Sequence, residues 1–160
     1  MDSLLNLLNE NAELSNAQLA AMLGKTEEEV AAEKAAYEKA GVIKAYKALI
    51  DWDKVGDAYA SALIELKVIP QKETGFDSIA EEVMRFEEVE SVYLMAGAYD
   101  LAVMVRCSTI QEIAKFVAKR LATMDAVQST ATHFILSRFK DGGVILCDEE
   151  RPDERGDFLL

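Results

Sequence analysis

Proline, cysteine and histidine are scarce in this chain, with two, two and one in 160 residues. Two cysteines make no disulfide framework. Cys107 lies in an apolar run and Cys147 in a polar one, and both read as free thiols of a reducing compartment. A single histidine, His133, with no Cys or His at ligand spacing is a poor metal site. There is no nucleophile elbow, phosphate-binding glycine loop, paired-cysteine motif or zinc-protease helix, so no cofactor is called for. No apolar run approaches the roughly 20 residues that span a bilayer. The start, MDSLLNLLNENAE, lacks the basic region and small-residue cleavage site of a secretory signal. Positive charge is short as well, with 17 Lys and Arg against 29 Asp and Glu and a net charge of −12. Such a chain repels phosphate backbones as a whole, so a nucleic-acid role needs a local basic face. The expectation is a cytoplasmic protein with no membrane anchor, metal or cofactor.

Apolar residues, by contrast, are plentiful. They make up 51% of the chain, which argues against disorder. Leu4, Leu5, Leu7 and Leu8 give a first helix its apolar stripe. Ser15 is placed to cap a second, which Gly24 ends. Thr26 and Glu29 form a capping box for a third, with Val30 and Tyr37 on one face and Gly41 as its stop. The runs Val42–Tyr46 and Ala48–Ile50 are β-prone and short enough to pair as a wing. Residues 1–50 are therefore expected as one domain and Asp51–Asp57 as a polar linker, with Trp52 as a packing anchor.

The rhythm then changes. Ala58–Val68 reads as a strand, and Phe76–Phe86 as a helix with Phe76, Ile79, Ala80, Val83 and Phe86 on its apolar face. Val89–Met95 and Tyr99–Val105 read as strands. Thr109 caps a second helix with Ile110, Ile113, Ala114, Val117 and Leu121 on one side, and Val127–Phe139 reads as a last strand. Met84, Met95, Met104 and Met124 fit core or interface filling. The order β-α-β-β-α-β is the split βαβ of a ferredoxin-like domain, here residues 58–140. Two helices leave one sheet face uncovered, which predicts dimerisation. Residues 141–160 form an acidic tail, in which Ile145-Leu146 and Phe158-Leu159-Leu160 are candidates to dock on a neighbouring subunit. The fold class is α+β.

The segment with the most distinctive chemistry is Ala96-Gly97-Ala98-Tyr99-Asp100, which interrupts two apolar strands. Gly97 supplies backbone freedom for a turn, and Asp100 either caps strand backbone or holds a small ligand. Thr130 and Thr132 share one face of the last strand, as surface residues or as hydroxyl ligands.

Helix-turn-helix, wing, linker and βαββαβ in this order resemble the Lrp/AsnC (feast/famine) transcriptional regulators, from Leu4 to about Lys140. Three groups of residues carry the resemblance. Leu14-Ser15, Gln18-Leu19-Ala20 and Leu23-Gly24 resemble the second helix of the family's reader head. Glu38, Gly41, Val42 and Ile43 resemble the start of its wing. Gly97-Ala98-Tyr99-Asp100-Leu101 and Val127-x-x-Thr130-x-Thr132 resemble the two signature segments of its sensor. The resemblance implies a winged helix-turn-helix head on operator DNA, with Lys25, Thr26, Glu29, Ala32, Glu33, Lys44 and Lys47 at the contact. It also implies a homodimer assembling further, as far as an octamer of four dimers. An amino acid or similar effector would bind between dimers, lined by Ala96, Gly97, Ala98, Tyr99, Asp100 and Leu101, with Thr130 and Thr132 from an adjoining subunit. Turn amides suit the effector's carboxylate and Asp100 its ammonium.

One departure stands out. Family members usually carry Arg three residues after the third helix's first apolar anchor; here the anchor is Val30 and that position is Glu33. From Thr26 to Ala40 the acids are Glu27, Glu28, Glu29, Glu33 and Glu38 against Lys34 and Lys39, which is 2 − 5 = −3. Phosphate affinity rests on Lys and Arg. Two alternatives follow: a relative that senses ligand without binding DNA, and, less favoured, a ferredoxin-like enzyme.

Overall fold

The computed structural model describes residues 2–56, 59–72 and 75–147. The chain divides into two units, Met1–Ile50 and Asp51–Leu160. In the first unit, helices α1 (Ser3–Glu10), α2 (Asn16–Leu23) and α3 (Glu27–Lys39) follow one another. Asp2 caps α1 by accepting from the Leu4 and Leu5 amides. Its other oxygen accepts from the Tyr37 hydroxyl at 2.5 Å, tying α1 to α3. Ser15 with Gln18 and Thr26 with Glu29 close reciprocal capping boxes, and Gly24 ends α2 in the left-handed region at φ 66°. Leu4, Leu8, Leu19, Ala20 and Val30 form the core of this small unit.

The wing differs from expectation. Residues 44–50 run without any strand partner among the described residues, and Val42, Tyr46, Leu49 and Ile50 are exposed. The two β-prone runs are separated only by Lys47, too short for a hairpin loop of two or more residues. Tyr46 instead lies back on α3, with Lys34 Nζ 5.7 Å from its ring centre and its hydroxyl donating to Glu38 at 2.9 Å.

The second unit opens on a helical turn, α4 (Trp52–Val55), where a plain linker was expected. Trp52 packs edge-on against Tyr59, within the second unit. Strand β1 (Ala60–Val68), helix α5 (Asp77–Val83), strands β2 (Val89–Leu94) and β3 (Leu101–Cys107), helix α6 (Ile110–Phe116) and strand β4 (Val127–Phe134) follow in the βαββαβ order. The sheet order is β2-β3-β1-β4, all antiparallel. Alternation along β1 sends Ala62, Ile64, Leu66 and Val68 into the core. There they meet Val103 and Val105 of β3 and, from the helices, Ile79, Val83 and Ile113. Leu63 and Glu65 point to the uncovered face.

Three details correct the sequence expectation. After Phe116 the helix widens into a π turn, Val117–Leu121, closed by the Ala122 amide on the Val117 carbonyl at 2.8 Å. The buried stripe runs through Ile113, Phe116, Val117 and Leu121, while Ile110 and Ala114 are exposed. Strand β4 stops at Phe134, short of the expected Phe139, and the chain beyond forms a small hairpin of β5 (Lys140–Asp141) and β6 (Val144–Ile145). Among the methionines, Met124 packs on the core but Met84 and Met95 are exposed. Ile145 is exposed, whereas the Phe158-Leu159-Leu160 docking segment lies outside the described residues.

Candidate functional site

Strand β2 runs out at Leu94 and β3 begins at Leu101, with Leu94 opposite Leu101 in the ladder. The Met95 amide donates to the Asp100 carbonyl at 2.8 Å and closes the intervening loop. Ala96, Gly97 and Ala98 are exposed at its tip; Tyr99 and Asp100 are half-buried at its base. Among the described residues the amides of Ala96, Gly97, Ala98 and Tyr99 have no hydrogen-bond partner. Free N–H groups at an exposed turn are donors available to an anion.

Asp100 is committed more deeply than the sequence indicates. Its amide donates to the Leu66 carbonyl at 3.0 Å, one carboxylate oxygen accepts from the Val68 amide at 2.9 Å, and the other faces Lys67 Nζ at 3.0 Å. The Val68 N–H, and then the Lys67 ammonium, hold the carboxyl below its ordinary value of 3.8. A lowered folded-state value means stability that is present above 3.8 and lost as pH falls through the folded value. Asp100→Asn is therefore expected to lower the melting temperature at neutral pH by a few degrees and to flatten its decline below about pH 4. Parallel melting curves for both proteins from neutral to acid pH would show that the contacts contribute nothing. Lys67 and Val68 are the residues that sequence reasoning missed. The register supplies the signal: once Leu66 faces Leu101, residues 67 and 68 must lie beside Asp100.

Gly97 corrects a second expectation. Its φ is not in the left-handed region, and a Cβ there would meet nothing within 4 Å. Nothing in the single chain requires glycine at 97. Leu101 is 1% exposed and its side chain belongs to the core, leaving only its backbone at the turn. Thr130 pairs with Leu66 and Thr132 with Ile64, so both hydroxyls project on the helix-covered side, half-buried along the free edge of β4. Strand β1 stands between Asp100 and β4. The two segments are thus two strand spacings apart, roughly 9–10 Å, and one chain alone does not close them around a ligand.

In the first unit, Thr26 and Glu29 are occupied by the capping box: the Thr26 amide donates to Glu29 at 2.8 Å, and Thr26 Oγ1 accepts from the Glu29 amide at 3.2 Å. The Thr26 amide and hydroxyl hold the Glu29 carboxyl below its usual range. Lys25 Nζ lies 2.5 Å from Glu33, and that carboxylate holds the ammonium's pKa above its ordinary value. Ala32 is exposed on α3, and Lys44 and Lys47 are exposed in the extended segment that follows. The cationic footprint around α3 is therefore partly neutralised by its own helix.

The Lrp/AsnC ligand binding domain matches residues 61–145. An HTH-type transcriptional regulator of Bacillus subtilis, YugG, is 44% identical over 143 residues, covering 89% of this chain and 86% of that one. The leucine-responsive regulatory protein of Haemophilus influenzae is 25% identical over 137 residues, covering 86% and 82%. Among solved structures, a feast or famine regulatory protein from M. tuberculosis complexed with L-methionine superposes with a TM-score of 0.70 at 25% identity, over 86% of this chain and 90% of that one. Escherichia coli AsnC has the same fold, with a TM-score of 0.67 at 23% identity over 86% and 93%. A three-helix head followed by a βαββαβ domain with these relatives assigns the chain: it belongs to the Lrp/AsnC (feast/famine) family of transcriptional regulators.

Proposed function

We propose that this chain is a cytoplasmic DNA-binding regulator that senses an α-amino acid at the Ala96–Asp100 turn. One observation carries the reading: four consecutive amides at the turn, without a hydrogen-bond partner among the described residues and backed by a carboxylate. The amides receive the ligand's carboxylate. Asp100, already bound to Val68 and Lys67, keeps lone pairs for the ammonium. Thr130 and Thr132 of an adjoining copy complete the pocket, because β1 keeps the chain's own threonines away. The L-methionine complex of the mycobacterial relative supports the ligand class.

The uncovered sheet face supports assembly. Leu63, Ala102, Met104 and Ala131 fall on it, and a second copy covers them as a homodimer. Dimers then meet at the turns, as far as an octamer, and ligand at that border alters the spacing of the heads on DNA, with α3 in the groove. Titration calorimetry with a panel of L-amino acids tests the site. The responding amino acid is expected to bind at least about tenfold more weakly to Thr132→Val and to Asp100→Asn. Full affinity in both variants would remove the turn from the site.

A further inference from the structure

On the other side of the second unit lies a cleft of about 480 Å³, within the range of roughly 300–1,000 Å³ typical of small-molecule sites. Its walls are the α5–β2 connection, the exit of β3, and α6 with its π turn. In a chain of net charge −12, three cations of α6 and its π turn line it, Lys115, Lys119 and Arg120, while Arg106 borders it from β3 with its guanidinium stacked over the Tyr59 ring at 4.5 Å. Three acidic residues, Glu87, Glu88 and Glu112, line it as well.

Some of these charges are already engaged. Arg106 pairs with Glu90 at 2.8 Å, Arg120 lies over the Phe86 ring at 5.4 Å, and Glu112 accepts from the Ser108 amide at 3.1 Å. The rest are not. Among the described residues, Lys115 and Lys119 on one wall and Glu87 and Glu88 on another have no side-chain partner, and they do not reach one another. Two free ammoniums and two free carboxylates thus line one concavity without cancelling. The π turn begins between Lys115 and Lys119, and such turns recur at functional sites. Half-buried Cys107 also lines the cleft. Burial, then Glu88 and Glu112, push its thiol's pKa up, which places both carboxylates near the sulfur.

We propose that this cleft is a second ligand site, separate from the turn, for a small zwitterion of the amino-acid class. The ligand carboxylate meets Lys115 and Lys119, its ammonium meets Glu87 and Glu88, and its body lies over Cys107 and Phe116. A ligand with one charge satisfies only half of the lining and leaves the other half repelled or unpaired. The inference rests on the cleft alone and does not require the turn to bind anything.

Cys107 gives the test its own signal. In full-length protein carrying Cys147→Ser, the rate of iodoacetamide labelling of Cys107 is followed by mass spectrometry. L-Alanine and L-methionine are the probes, with acetate and methylammonium as single-charge controls. The zwitterions are expected to slow labelling saturably, and the controls to act at least about tenfold more weakly. The double variants Lys115→Gln with Lys119→Gln, and Glu87→Gln with Glu88→Gln, are expected to abolish protection while keeping the circular dichroism of the parent protein. Equal protection by acetate, protection that survives both double variants, or no protection at millimolar probe would each overturn the proposal.

Discussion

Glu33→Arg is expected to tighten non-specific DNA binding by on the order of tenfold at low salt. The same change should steepen the dependence of log affinity on log salt by about 1 to 2 units, the signature of one to two added phosphate contacts. Two effects combine. The substitution replaces a negative charge in the expected reading helix with a positive one, and it releases Lys25, whose ammonium lies 2.5 Å from the Glu33 carboxylate. Glu33→Gln separates them, because it frees Lys25 without adding a cation, and about half the gain should remain. Lys25→Gln in the natural background should change little, since that lysine is already engaged. Position 33 suits the experiment because it lies in the second turn of α3. Glu27, Glu28 and Glu29 sit in the first turn, where acids complement the helix dipole, and Glu29 also closes the capping box. Exchanging those residues would confuse DNA affinity with helix stability. Fluorescence anisotropy on a labelled duplex across a salt series reads both quantities. Identical affinity and slope in Glu33→Arg would remove α3 from the groove.

Much of this architecture is legible in the sequence because its determinants are local. The caps at Ser15, Thr26 and Thr109 are all formed, each residue accepting from the amide three positions on. The alternation of β1 and the helical spacing of Ile79 and Val83 identify the core faces. What was not legible depends on neighbours far along the chain. The Val42–Ile50 runs have strand propensity, but propensity supplies no partner, and Tyr46 packs on α3 instead. The π turn after Phe116 inserts one residue that no periodicity announces, and the buried stripe takes in Phe116 rather than Ala114. At the turn, the residue types were readable and their commitments were not. That Asp100 binds Val68 and Lys67 follows from strand register, which is a tertiary fact.

Leu101→Ala and Gly97→Ala should behave as opposites, although only four positions separate them. Leu101 is 1% exposed and packs in the main core, so its truncation is expected to cost about 2–5 kcal/mol. That is a large part of the roughly 5–15 kcal/mol that holds a typical domain together. The loss should appear as a marked fall in the denaturant midpoint of the second unit, and the turn loses order with it because β3 begins at this residue. At Gly97 the backbone is not left-handed and an added Cβ meets nothing within 4 Å. Alanine there restricts the unfolded chain without straining the folded one, for an expected gain of about 0.4–1 kcal/mol. If glycine stands at 97 only to form the turn, substitution has no reason to affect anything but stability. If a ligand or an adjoining copy approaches that open face, a protein of equal or greater stability will bind its amino acid less well. Denaturant unfolding beside calorimetric titration of Gly97→Ala therefore separates fold from function through a single added methyl group. Lost stability would show a strain that the backbone angles do not contain. Unchanged ligand affinity would mean that the space above Gly97 stays open in the assembled regulator.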